Sequence, residues 1–375
     1  MKKTTKIAVI TAPNRRNAGM LSVDLAAEDF FRNIGVEFQF FRSHTRNNQS
    51  VEYFAGQTFF LLQDLNHLKN YDVIIYWGDF INSLTYGLED FFVLDKRHGI
   101  TNDPSVSFER WKRIYLLKDY YRGSQRVISV SNNFQGMASA YAQISQTEKN
   151  EINQLYEENF DAIFPRDYIS TQILLECSPR AAGGNVRTGV DAAFLLDIQL
   201  LLSTRSQLKS TREFSFFFGR SGLTGITLLL CSSMYFSRAL PIKVDGWFDI
   251  RHDLCGRQQL SRLFGQIGQS RFVITDTYHL CVNTINLGVP VVGIGRQAEE
   301  QVGSVGDYKK QILFQMLDYE KNYISLKGKR VTAKYRSAIR NIISQTNNKI
   351  TDRTPQETLY KMLDVYKTDL KKEIF

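Results

Sequence analysis

One of the chain's five histidines, His279, stands in the stretch TDTYHLCVNTINLGVP, Thr275 to Pro290, where an apolar strand pattern gives way to a helical one. LCVNTINLG reads as a short helix stopped by Gly288, so His279 falls in its first turn. The positive end of the helix dipole disfavours imidazolium there. A neutral ring is left, able to accept a proton until an anionic ligand arrives. The alternative is a hydrogen-bonded structural histidine with Asp276 as the helix cap. A second candidate is FFFGRSGLTG, in which an apolar strand empties into Gly219-Arg220-Ser221-Gly222. Backbone N–H groups, a hydroxyl and a guanidinium at one spot suit a phosphate or carboxylate. Equally, the glycines can make a tight turn that leaves Arg220 solvated.

Short apolar runs bounded by turn residues and alternating with helical patterns supply the strands that must deliver these side chains. In the first half they are KIAVITA (Lys6 to Ala12), VEFQFFR (Val36 to Arg42), DVIIYWG (Asp72 to Gly78), RVISVSN (Arg126 to Asn132) and AIFPRD (Ala162 to Asp167). In the second they are FSFFFG (Phe214 to Gly219), LPIKVDG (Leu240 to Gly246), RFVIT (Arg271 to Thr275) and VPVVGIG (Val289 to Gly295). SVDLAAEDFFRNIG is helical and stopped by Gly35. After Lys327 the pattern turns helical to the end, with Thr354, Pro355 and Glu357 opening the last helix as a capping box. The fold class expected is α/β: two doubly wound Rossmann-like domains facing a central cleft, with C-terminal helices. They span residues 1–200 and 201–375, the second with the C-terminal helices, and the boundary lies near Asp197 to Arg212. Ligands of such folds sit in the crevice at the strand C-termini.

Composition narrows the function classes. With 43% hydrophobic and 23% charged residues over 375 positions, the chain can bury cores and reads as soluble and globular. The apolar stretch Ile7 to Ala12, closed by Pro13 and two arginines, reads as a first strand and not as a signal peptide. No window approaches the roughly 20 apolar residues of a membrane span. Cys177, Cys231, Cys255 and Cys281 are scattered without CxxC pairing, so neither a metal site nor a disulfide scaffold is expected, and a cytoplasmic setting fits. The net charge of 47 − 38 = +9 suits anionic partners. No DNA-reading motif is present, so nucleic acid is not expected as a partner.

FVITDTYHLCVNTINLGVPVVGIG resembles the segment of the polysaccharide pyruvyl transferase family in which an Arg-x-His-type motif opens a helix and an apolar G-[VI]-P strand follows. Three other stretches are similar in the same order. ISVSNNFQGM, with Asn133, matches a strand leading into a polar loop. FPRDYIS, with Arg166, resembles Arg-Asp-x-x-Ser, and RTGVDAAFLLD resembles Asp-x-[AS]-F-x-L. GDYKKQILFQML, with Asp307, Lys309 and Lys310, looks like the lysine-bearing helix start that follows. The resemblance covers roughly Asp72 to Leu317. It implies a GT-B-like transferase that uses phosphoenolpyruvate, with no further cofactor, to place a pyruvyl ketal on a sugar of a cell-surface glycan or its lipid-linked precursor. Peripheral contact with the inner membrane face goes with such an acceptor.

On that resemblance His279 and Asp276 are the catalytic residues. Arg220, Ser221, Thr277, Tyr278, Lys309 and Lys310 hold the donor and its phosphate, and Asn17, Gly19, Asn133 and Arg166 hold the acceptor, so that residues 1–200 form the acceptor side and 201–375 the donor side. Two departures matter. The arginine two residues before the histidine corresponds to Thr277 and the aliphatic residue between them to Tyr278, so either Arg220 or Lys310 compensates or the donor differs. Asn17 and Gly19 sit where an Asn-x-Gly-Asp loop is usual, but no Asp follows. The other readings are a GT-B glycosyltransferase taking a nucleotide sugar, with Glu299 and Glu300 available for its ribose and diphosphate, and a non-catalytic glycan- or anion-binding protein.

Overall fold

The computed structural model describes residues 4–12, 16–179, 185–202, 213–219, 240–295, 307–325 and 354–375. Arg220, Ser221, Glu299 and Glu300, most of the expected boundary and the stretch 326–353 lie outside these residues.

The first half is a seven-stranded sheet built from β1 (Lys6–Thr11), β2 (Glu37–Arg42), β3 (Val51–Phe54), β4 (Gln57–Leu61), β5 (Val73–Trp77), β6 (Arg126–Asn132) and β7 (Ala162–Pro165). Their order is β3-β4-β2-β1-β5-β6-β7. The second half is a parallel five-stranded sheet of β8 (Glu213–Phe217), β9 (Leu240–Lys243), β10 (Val273–Thr275), β11 (Val291–Gly295) and β12 (Tyr323–Ser325), in the order β12-β11-β10-β8-β9. With the β3–β4 hairpin set aside, both halves share the 2-1-3-4-5 order of doubly wound sheets. The chain leaves the central strand in opposite directions on its two sides, and a crevice opens between β1 and β5 in one half and between β8 and β10 in the other. The described helices are α1 (Ala18–Asn33), α2 (Phe91–Arg97), α3 (Pro104–Tyr115), α4 (Met137–Tyr141), α5 (Gln146–Asn159), α6 (Tyr168–Cys177), α7 (Ile198–Leu201), α8 (Gly256–Gly268), α9 (Tyr278–Asn286), α10 (Tyr308–Met316) and α11 (Thr354–Ile374).

The central strands are apolar on both faces because helices cover both. All five residues of β5, VIIYW, are buried, as a strand inside a parallel sheet requires. Gly35 and Gly288, at φ +72° and +73°, follow α1 and α9 in the left-handed conformation that ends a helix cheaply. The hairpin β3–β4 and the edge strand β12 were not expected from the sequence. β3 and β4 pair antiparallel through Ala55 and Gly56, both at positive φ. An Ala-Gly turn is a weaker hairpin signal than Asn-Gly, and β12 has only three residues.

The halves are joined by one continuous apolar core. It runs from Ile7 and Trp77 through Leu21 and Phe30 of α1 into Leu260, Val282 and Phe314, and on to Leu363 and Leu370 of α11. Main-chain hydrogen bonds reinforce the junction: Ala18 N–H donates to Trp247 O (2.9 Å) and Ile250 N–H to Arg16 O (3.1 Å). Arg257 also donates to Asp29 (2.6 Å). The last helix returns to the first sheet. Tyr366 meets Phe164 edge-on at 5.6 Å, and Glu373 binds both Arg126 and Arg187. No helix among the described residues is long and apolar enough to cross a membrane.

Leu370 is fully buried and Val365 is 64% exposed on the same helix. Leu370→Ala is expected to cost about 2 to 5 kcal/mol and Val365→Ala less than about 0.5 kcal/mol in urea unfolding. Equal costs would mean that α11 does not dock on the first sheet as described.

Candidate active site

The strands β5, β6 and β7 deliver three short loops to one place. Gly78 and Asp79 follow β5 at φ +90° and +30°. A Cβ on Gly78 would lie 2.6 Å from Val23 Cγ1, so only glycine lets α1 pack that closely. Asp79 O accepts Asn133 N–H (2.7 Å), which joins the β5 and β6 loops. Asp167 follows β7 and caps α6, accepting Ser170 N–H at 2.6 Å and Gln135 Nε2 at 2.9 Å. Ser170 Oγ in turn donates to Asn133 Oδ1 (3.2 Å). The Arg-Asp-x-x-Ser stretch is thus a knot that freezes the loops around Arg166. Asn133 is buried inside that knot.

Arg166 is 2% exposed and lies among three carboxylates. Its Nη1 donates to Asp79 Oδ1, Asp191 Oδ2 lies 3.9 Å from Nη1, and Asp167 Oδ2 lies 3.7 Å from Nε. Its guanidinium carbon stands 4.6 Å from the Tyr278 ring centroid, and Lys309 Nζ stands 5.0 Å from the same ring. These distances suit cation–π attraction. Burial opposes the Arg166 charge, but Tyr278 and the carboxylates Asp79, Asp167 and Asp191 hold its pKa well above the ordinary value. Burial also pushes Asp79 upward; Lys309, Arg166 and His279 outweigh it and leave the carboxyl below its usual range. Arg166 Nε and Nη2 have no hydrogen-bond partner although they are buried. These two atoms form the edge of a guanidinium that grips a carboxylate or phosphate through two parallel bonds.

His279 is the second residue of α9, as the sequence indicated, and is 7% exposed. Its Nε2 lies 3.7 Å from Asp191 Oδ2 and has no hydrogen-bond partner. Burial pushes the imidazole pKa down, and Asp191 and Asp79 only partly restore it. Asp191 itself follows the first half's sheet, capping the 3₁₀ turn Ala192–Leu195 by accepting Ala193 N–H (2.9 Å). One oxygen of Asp191 is therefore shared between a histidine of the second half and an arginine of the first.

One sequence expectation is corrected by geometry. Asp276 does not cap α9; the cap is Thr277, without a side-chain bond. Asp276 Oδ1 instead accepts Gly219 N–H (2.8 Å) and Thr277 Oγ1 (3.1 Å), tying the ends of β8 and β10 together. Lys310 is buried, donating from Nζ to Asp276 O (2.5 Å) and to Asp307. It is a strut behind the loop, while Lys309 reaches Tyr278. Asn17 caps α1, accepting Gly19 N–H at 2.9 Å. The structure thus brings Arg166, Tyr278, His279 and Lys309 together. Sequence reasoning missed Asp79 and Asp191 as members of the group. Their signal was present, a Gly-Asp at the end of an apolar strand and the Asp of RTGVDAAFLLD, but acidic residues at turns usually only cap or solvate.

In comparison with known proteins, the family described as polysaccharide pyruvyl transferase matches residues 25–297. No curated protein matches the chain. Among solved structures, a putative UDP-N-acetylglucosamine 2-epimerase from Listeria monocytogenes is 11% identical, with 98% of each chain covered and a TM-score of 0.50. An uncharacterized protein from Klebsiella pneumoniae is 14% identical over 86% of this chain and 93% of its own, with a TM-score of 0.47. At 11% identity the Listeria likeness speaks for the fold alone, two Rossmann-like halves in the GT-B manner.

Two measurements check the electrostatics. His279 is held below the 6.5 of a free imidazole, so the unfolded chain binds the proton first as pH falls. Wild-type stability relative to His279→Gln should therefore drop as pH falls through about 6.5, read from urea midpoints at pH 8 and 5.5. A pH-independent difference contradicts the burial. Asp79→Ala should cost about 3 kcal/mol, the low end for breaking a buried pair, because Asp167 and Asp191 still face Arg166.

Proposed function

This chain belongs to the polysaccharide pyruvyl transferase family, and from that premise we propose that its donor is phosphoenolpyruvate and its acceptor a hydroxyl pair on a glycan or lipid-linked saccharide. It is a transferase with two Rossmann-like halves. The observation that carries the donor reading is the set of buried nitrogens that make no hydrogen bond, Arg166 Nε and Nη2 and His279 Nε2, near the shared oxygen of Asp191. Buried polar atoms are rarely left unpaired, and an open guanidinium edge beside a neutral imidazole asks for an anion.

In this reading the Arg166 edge takes the carboxylate or phosphate, with Lys309 adding charge. A proton is delivered to the methylene carbon of phosphoenolpyruvate, which makes C2 electrophilic. One acceptor hydroxyl adds to C2 and loses its proton, the C2–O bond to phosphate breaks, and the second hydroxyl adds to close the ketal and loses its proton. One proton enters the methyl group and two leave the hydroxyls, so phosphate departs with the net proton. His279, backed by Asp191, is placed to move protons between these partners. Arg166 takes over the anion contact that the sequence analysis sought in Arg220 or Lys310, and Thr277 is not required to supply it. A lipid-linked acceptor would be met at an anionic membrane surface, which a chain of net charge +9 favours.

Charge counting gives a specific consequence. Asp79, Asp167 and Asp191 against Arg166 and Lys309 leave 2 − 3 = −1 around a neutral His279, among the described residues. Binding of a multiply charged anion should then bring a proton to His279. Titration calorimetry in buffers of different ionisation enthalpy should show uptake of about one proton near pH 7, absent in His279→Gln. His279→Ala should lower turnover by roughly 10²-fold or more, and Arg166→Lys should raise the KM for phosphoenolpyruvate because the two-pronged grip is lost. Thr277→Arg should strengthen donor binding. If UDP-glucose stabilises the wild type in thermal shift while phosphoenolpyruvate stabilises neither wild type nor Thr277→Arg, the glycosyltransferase reading replaces this one. Unchanged turnover in His279→Ala would instead favour a non-catalytic role for that histidine.

A further inference from the structure

Gly19 and His279 are 260 positions apart in sequence and in contact in space. A Cβ placed on Gly19 would lie 2.4 Å from His279 Cβ, 2.8 Å from Cγ and 3.0 Å from Nδ1. The backbone of Gly19 is ordinary helix and is absent from the positive-φ glycines, so conformational freedom does not demand glycine there. What excludes a side chain is that of His279, its Cβ first and its ring next. The same two turns are bracketed by hydrogen bonds. Asn17 Oδ1 accepts Gly19 N–H (2.9 Å), Ser22 Oγ donates to Gly19 O (2.6 Å), and Asn283 Nδ2 donates both to Ser22 Oγ (2.9 Å) and to His279 O (2.8 Å). Ser22 and Asn283 are fully buried. α1 of the first half thus grips the first turn of α9 in the second through side chain and main chain together.

We infer that Gly19 is a positioning residue, the seat that fixes the His279 imidazole against Asp191, with Ser22 and Asn283 as the bracket that holds seat and helix in register. This rests on the proposed function only in that it gives His279 a part in the chemistry. It reassigns Asn17 and Gly19 from acceptor binding to the placement of a side chain in the other half. Ordinary contact begins near 3.4 Å, so an added methyl overlaps His279 Cβ by about 1 Å and the ring atoms by less, and the side chain must move back with its ring by a distance of that order. A displacement of that size at a reacting group costs on the order of 10²-fold. A ring pushed from its seat is also less buried. Its neighbours Asp191, Asp79, Lys309 and Arg166 then act through more water, and its titration moves up toward that of a free imidazole.

The test is a double-mutant cycle on the full chain with phosphoenolpyruvate and a diol-bearing saccharide acceptor, reading kcat, KM and the acidic limb of the pH profile. Gly19→Ala is expected to lower kcat on the order of 10²-fold with donor KM little changed, and to move the acidic limb upward. Gly265→Ala, on α8 with open space at its Cβ, is the control and should leave kcat unchanged. In the His279→Gly background, where the methyl meets no ring, Gly19→Ala should cost nothing further. Equal losses in both backgrounds, or unchanged turnover in Gly19→Ala, overturn the inference. If Gly19→Ala does not fold, recovery of folding in Gly19→Ala/His279→Gly supports the contact and continued failure overturns it. Wild-type turnover in His279→Gly alone would sink the proposed chemistry, a result distinct from additive losses, which sink only the seat.

Discussion

The burial of the Arg166 guanidinium between two half-molecules is the constraint on which the rest of the site depends. A charge taken from water is tolerable only with close partners, and removing one of them uncovers part of the desolvation cost that the others still offset. Asp79, Asp167 and Asp191 arrive from three separate loops, so each loop must hold its place for the cation to be stable. That demand explains the polar knot of Asn133, Gln135, Asp167 and Ser170 beneath it. It also explains why an aromatic ring from the second half, Tyr278, closes over the same guanidinium.

Topology decides where such a group can form. Both sheets reverse their strand order beside the central strand, and the loops that leave those strands point into one crevice. The first half contributes a buried cation with two nitrogens that make no hydrogen bond, and the second contributes a histidine in the first turn of a helix. Neither half holds both. The continuous core through α1 and the main-chain bonds at Trp247 and Arg16 keep the two contributions in register, and α11 straps back across the first sheet.

Loss of an arginine from the loop before His279 removes one charge from the second half, and the buried Arg166 stands across the crevice, within cation–π range of the next residue. Lys310 cannot fill the role, because its ammonium is spent on the Asp276 carbonyl and Asp307. Asp276 ties the ends of β8 and β10 together.

Much of the fold was legible in the residues. Apolar runs such as VIIYW and KIAVIT can only be strands covered on both faces, and Gly35 and Gly288 mark helix ends because only glycine takes the left-handed conformation cheaply. His279 in the first turn of its helix followed from the same local rules. The hairpin Val51 to Leu61 did not, since its Ala-Gly turn gives little local signal. Nor could local rules assign Asp79, Asp191 or Gly19. An aspartate after a strand and a glycine in a first turn look alike whether they serve the backbone or a distant side chain. Sequence determined which segments form strands and helices, because periodicity and turn chemistry are local. Tertiary structure alone decided that Gly19 must remain bare for His279 and that one oxygen of Asp191 is shared by His279 and Arg166, because those contacts exist only when residues far apart in the chain, 279 − 19 = 260 positions in the first case and 279 − 191 = 88 in the second, are packed together.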